Sequence, residues 1–117
     1  MPRGVEIEFG GKVRTIKLGY AAIATAERKA GMSLNQMLSE QHAGISTNNI
    51  LLWAGIRHGN VEDRGLTLER LEAMVDAHAD EGGDMGALYG AVVDALLIGG
   101  MRGNSQAGTE GESPIPA

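Results

Sequence analysis

Cysteine is absent from this 117-residue chain, aromatic side chains number four, and basic residues are outnumbered by acidic ones, ten to fifteen. The first absence excludes disulfides, thiolate metal sites and thiol nucleophiles together. With only Phe9, Tyr20, Trp53 and Tyr89 as aromatics, a pocket that stacks a large flat cofactor is not expected; composition points instead to a small aliphatic core with some of the six methionines in it. A net charge of −5 argues against a general nucleic-acid binder. No run of about 18 uninterrupted apolar residues is present. The longest apolar segment, Met85 to Met101, is broken by Asp94 and several glycines, so no membrane span is expected. The first twenty residues carry no apolar stretch of the secretory kind, which makes the cytoplasm the expected location.

What is there is 43% hydrophobic, enough for a folded domain of ordinary size. Charge is divided unevenly. Residues 1–59 hold seven Lys/Arg against four Asp/Glu, and residues 60–117 hold three against eleven, a net +3 followed by −8. The ordinary explanation is a solvated acidic helix face, and the alternative is a docking surface for a basic partner.

Val5 to Phe9 alternates apolar and polar residues, Gly10-Gly11 supplies a turn that accepts positive φ, and Lys12 to Leu18 is rich in β-branched residues. A β-hairpin over 5–18 follows, and a two-residue turn sets Val5 opposite Ile16. That register places Val5, Ile7, Phe9, Ile16 and Leu18 on one face and Glu6, Glu8, Thr15 and Lys17 on the other, although a three-residue loop would flip the second strand. A lone hairpin needs a cover for its apolar face.

Five helices are expected to provide it. Residues 20–30 are Ala-rich, end in Glu27-Arg28-Lys29 and stop at Gly31. A second helix over 33–42 opens with Ser33 and Gln36 as a capping box and Met32 with Met37 as a staple. A third over 46–58 has Ser46 as cap and Ile45 with Ile50 as staple. The fourth, 67–81, uses Thr67, Leu66 and Leu71 in the same way and carries a stripe of Leu68, Leu71, Met74 or Val75, and His78. Its last turn is acidic, which opposes the helix dipole and predicts fraying near Asp80 unless a partner or a basic group neutralises the acids. Asp84 caps the fifth, 84–98, whose apolar residues cover more than one stripe; such a helix is either central or shared with another chain. The expected fold is α+β, mostly α: an N-terminal hairpin and about five short helices in one small bundle over residues 1–102. Residues 103–117, rich in Gly, Ser, Glu and Pro, read as a disordered tail.

No constellation of polar residues in the sequence has a spacing that demands chemistry. His78 and Glu81 stand at a spacing that could share a metal but with no third ligand at such spacing on the same helix, and the acids around Gly82-Gly83 lack the EF-hand order, so no metal site is expected. Neither Gly10-Gly11 nor Gly82-Gly83 matches a phosphate loop, and no cofactor is expected. Ser33 and Ser46 sit where a helix needs a cap, without an elbow sequence or a nearby histidine to activate them. No residue is read as catalytic. A helix-turn-helix DNA reader is disfavoured because Arg64, Arg70 and Arg102 are the only cations of the second half.

The features that remain concern contact. Gly55-x-x-x-Gly59 and Gly86-x-x-x-Gly90 predict close packing of helices, within one chain or between chains. Trp53 with Arg57 and His58 forms a candidate contact patch, the plain alternative being that Trp53 is the largest core residue. The candidate partner-binding residues are Trp53, Ile56, Arg57 and His58 on the third helix and Leu88, Tyr89, Val92, Val93, Leu96 and Leu97 on the last.

The order of these features, with Glu27-Arg-Lys-Ala-Gly31-Met-Ser33-Leu34, then Ile50-Leu-Leu-Trp-Ala-Gly-Ile-Arg-His58, then Leu66-Thr67-Leu-Glu69 and a last apolar helix, resembles the tail assembly chaperone family of long-tailed phages, in the group found in gene transfer agents and prophages. The resemblance spans about residues 5 to 100 and rests on soft patterns, not on a catalytic signature. It implies a non-enzymatic protein of the bacterial cytoplasm that binds the tape-measure protein, keeps it soluble while tail tube subunits polymerise around it, and is absent from the finished particle. Tail tube subunits are a second implied partner, and a homo-oligomer stays open. Two rivals from other classes are a structural minor tail or tail tube component and a self-associating helical adaptor.

Overall fold

The computed structural model describes residues 4–99. Strands β1 (Gly4–Phe9) and β2 (Lys12–Lys17) form a two-stranded antiparallel sheet, followed by α1 (Tyr20–Ala30), α2 (Leu34–Met37), α3 (Ile45–Gly59), a single 3₁₀ turn at Val61–Asp63, α4 (Leu68–Asp80) and α5 (Met85–Gly99). The fold is α+β and mostly α. The expected tail over 103–117 and the outer ends of the 1–102 domain lie outside the described residues.

The hairpin has the register expected of a two-residue turn, Val5 opposite Ile16. Gly10 and Gly11 take φ of 68° and 86°, the left-handed pair that a two-residue turn of matching twist requires. Phe9, Ile16 and Leu18 are buried, while Val5 and Ile7 are half-buried at the margin of the same face. Arg14, opposite Ile7, lies on that face too. Its guanidinium donates to Asp63 at 3.0 Å and to the carbonyl of Phe9, tying the hairpin to the 3₁₀ turn.

Helix α3 is the centre. Residues Ile50 to Ile56 are all buried, and the helix packs against β2, α1, α4 and α5. Its Gly55-x-x-x-Gly59 step meets a strand, where the spacing suggested a second helix. A Cβ on Gly55 would come within 2.6 Å of the Ile16 methyl group, and one on Gly59 would strike the Thr15 carbonyl. Asn60 completes this junction. Its side-chain amide donates to the carbonyls of Ile56 and Thr15, each at 2.9 Å, and its Oδ1 accepts the Thr15 N–H at 3.1 Å.

Helix ends follow the caps in most places. Ser33 and Gln36 form the reciprocal capping box, Thr67 accepts from the Arg70 amide, and Asp84 accepts from the Ala87 amide. Gly31 closes α1 in the left-handed conformation. Three expectations need correction. The helix expected over 33–42 stops at Met37, where Ser39 turns its hydroxyl back on the Gln36 carbonyl at 2.7 Å. The third helix starts at Ile45, with Thr47 accepting the Gly44 N–H at 3.1 Å; Ser46 caps nothing and Ile45 is 70% exposed, so the Ile45–Ile50 staple does not form. The acidic end of α4 is closed instead of frayed. Gly82 at φ 82° lets the Gly83 N–H reach the His78 carbonyl at 2.8 Å and the Gly82 N–H reach that of Ala79, which satisfies these two end carbonyls despite the acids.

Candidate client-binding surface

Helix α5 is divided lengthwise. Leu88, Ala91, Val92, Ala95 and Leu96 are buried against the hairpin and α3. At 100° per residue the other half comprises Gly86, Ala87, Gly90, Val93, Asp94, Leu97 and Ile98, every one of them exposed. Asp94 is the only charge in that half. Val93, Leu97 and Ile98 keep 52%, 44% and 47% of their surfaces in water, an unusual position for three large aliphatic side chains of one helix. Gly90 has open space where a Cβ would stand, so the middle of this face is a shallow gap between aliphatic groups. At the C-terminal end, a Cβ on Gly99 would meet the Leu18 carbonyl at 2.6 Å.

The buried half fixes where the exposed half points. Asn49 of α3, 4% exposed, accepts the Tyr89 hydroxyl at 2.7 Å, and its amide faces Glu72 of α4 at 3.5 Å. Burial raises the Tyr89 pKa above the usual phenol value, and the nearby Glu72 and Asp76 carboxylates push it the same way. The hydroxyl therefore stays a hydrogen-bond donor and pins α5 by its rim.

The sequence-derived contact residues divide accordingly. Ile56, Leu88, Val92 and Leu96 are within 3% of full burial and belong to the core, because each faces an element of the same chain. Trp53 is 5% exposed and donates its indole N–H to the Leu66 carbonyl at 2.7 Å, so it too is structural. Tyr89 is half-buried and spends its hydroxyl within the chain. Val93 and Leu97 are the candidates from the last helix that solvent reaches. Ile98 was missed, although the 100° spacing that links Gly86, Gly90, Val93 and Leu97 places it on the same half; Gly86 and Gly90 were read as a close-packing step and not as contact residues.

Arg57 and His58 lie on a second, basic surface. The Arg57 guanidinium is 5.0 Å and the Lys29 ammonium 5.7 Å from the Trp53 ring centre, so α1 and α3 are clamped through that ring. His58 shares a hydrogen bond of 2.9 Å with Thr25. Its pKa is lowered from the ordinary 6.5 by burial and then by Arg57, Lys17, Arg28 and Arg64, four cations gathered around the ends of α1 and α3. His78, three residues before Glu81, packs edge-on against Phe9 with ring centres 5.6 Å apart. No helix among the described residues is long and apolar enough to cross a membrane.

No family model, no curated protein and no solved structure matches this chain.

Proposed function

We propose that this protein is a non-enzymatic tail assembly chaperone of the phage and gene-transfer-agent type, which binds the tape-measure protein in the bacterial cytoplasm and keeps it soluble until tail tube subunits enclose it, and which is left out of the finished particle. One observation carries the reading: the outer half of α5, apolar except for Asp94 and covered by nothing among the described residues. An amphipathic client helix has what this face lacks, a partner apolar stripe, and the open space at Gly90 allows it to approach closely. Completing the burial of Val93, Leu97 and Ile98 would contribute on the order of 1 kcal/mol each, the part of a full aliphatic burial still unrealised. A bundle of this kind holds a client without chemistry, consistent with the absence of any catalytic arrangement in the sequence.

The test is co-expression with the tape-measure protein of the same genome, scoring soluble client and co-elution. The unsubstituted chain is expected to keep the client soluble, and Val93→Asp to lose it while remaining folded by circular dichroism. A client that precipitates beside the folded, unsubstituted chain contradicts the proposal. If the last helix instead mediates a tight homodimer that ignores tape-measure segments, the protein is a self-associating adaptor; a ring or filament of this chain alone would make it a structural tail component.

A further inference from the structure

The two edges of the hairpin are treated differently. On the β2 edge, the Thr15 N–H and carbonyl are both taken by the Asn60 side chain, which stands in for a neighbouring strand. In an antiparallel ladder, residues directly opposite each other face the same way, either both inward to their shared hydrogen bonds or both outward. Thr15 is opposite Glu6, so the Glu6 N–H and carbonyl point out of the other edge, as do those of Glu8 two residues on. Among the described residues no hydrogen bond reaches either residue from that side. The β1 edge is thus an uncapped template for another strand.

Its surroundings say what kind. A cavity of about 220 Å³ lies beside this edge, between β1 and the junction of α4 and α5, walled by Ile7, His78, Ala87 and Leu88 and flanked by the exposed carboxylates of Glu8 and Asp84. Glu6 is exposed on the outer face of the same strand. We propose that β1 is a docking edge for an extended basic segment of a partner protein. Such a segment adds a third strand to the main chain of Glu6 and Glu8, seats one aliphatic side chain in the cavity, and brings Lys or Arg beside Glu6, Glu8 and Asp84. A second copy of this chain is the wrong occupant, because pairing β1 with β1 would set these glutamates against one another across the new ladder. The surface is distinct from the aliphatic face of α5, and the proposal does not depend on that face having a client.

The full-length chain, labelled with ¹⁵N, is titrated with a capped peptide alternating Lys and Val over seven residues. Saturable binding is expected, with amide exchange slowed at least tenfold at Glu6 and Glu8 and unchanged at Thr15, whose N–H is already bonded. Replacing the Lys residues by Glu, or N-methylating alternate peptide amides on the paired side, is expected to weaken binding at least tenfold. Glu8→Pro removes an outward N–H without touching a hairpin bond, so it should weaken binding to the same degree in a folded chain; Ala87→Phe, which fills the cavity, is the second variant. No saturation up to millimolar peptide, binding that leaves the Glu6 and Glu8 amides unprotected, or equal binding of the methylated peptide would overturn the proposal. So would protection of these amides in the free chain: if it rises with concentration a second copy holds the edge, and if it does not the chain's own residues do.

Discussion

The same pattern, two glycines four residues apart on an aliphatic helix, occurs in α3 and in α5 with opposite results. In α3 the Gly55–Gly59 step is filled by β2, which comes so close that a single added carbon at Gly59 would meet strand backbone. In α5 the Gly86–Gly90 step faces outward, and a Cβ on Gly90 would meet nothing. A small-residue stripe therefore says only that something approaches closely. Which something depends on the rest of the helix: α3 is buried throughout its middle, whereas α5 buries one half and exposes the other. The filled step belongs to the fold, and the other is left uncovered at Gly90 by the described residues.

Substitutions that trade the two helices, or the two halves of α5, break this contrast. The largest effect is expected for Val92→Asp, which puts a carboxylate where 1% of the side chain sees water. The cost, several kcal/mol, is comparable to the whole stability of a small domain, so the chain should lose its cooperative thermal transition. One residue on, Val93→Asp should leave that transition nearly intact. Gly59→Ala should cost about 3 kcal/mol as β2 is forced away, measurable by urea denaturation. Gly90→Ala should instead stabilise the helix by up to about 1 kcal/mol, since alanine lowers helix entropy loss in open space. Tyr89→Phe leaves the buried Asn49 oxygen without its donor and should cost about 1–3 kcal/mol. The same urea measurement checks it.

The smallest effect concerns the basic surface around His58. Because its folded pKa lies below the ordinary value of 6.5, the unfolded chain takes up a proton first as the pH falls. This contribution to stability is full above the unfolded value and is lost as the pH falls through the lower folded one. His58 is exposed, so the change is small, and it should vanish in His58→Gln when melting temperatures are compared between pH 7.5 and 5.

Local signals were legible in the sequence where they act over a few residues. The Gly10-Gly11 turn set the hairpin register, and Ser33, Thr67 and Asp84 marked helix starts because a cap needs only the next turn of backbone. Where two such signals compete, local reading failed. Ser46 and Thr47 both offer a hydroxyl, and Thr47 prevails because it also donates toward the His42 and Gly44 carbonyls. The Asn60 bridge to Thr15 joins residues far apart in the chain, and no spacing rule reveals it. For the candidate surface, the breadth of the apolar arc on α5 was visible, but not its division. Val92 and Val93 are equivalent as letters; only the packing of β1, β2 and α3 against one side distinguishes them.

The central claim is that the open step on α5 receives a client helix, and Gly90→Leu tests it most directly. The new side chain has room in the isolated chain, so the melting temperature should hold or rise, while the gap that a client would enter is filled. Co-expressed with the tape-measure protein, this variant is predicted to stay folded and to lose soluble, co-eluting client. Full retention of the client by folded Gly90→Leu would contradict the account and move the contact elsewhere.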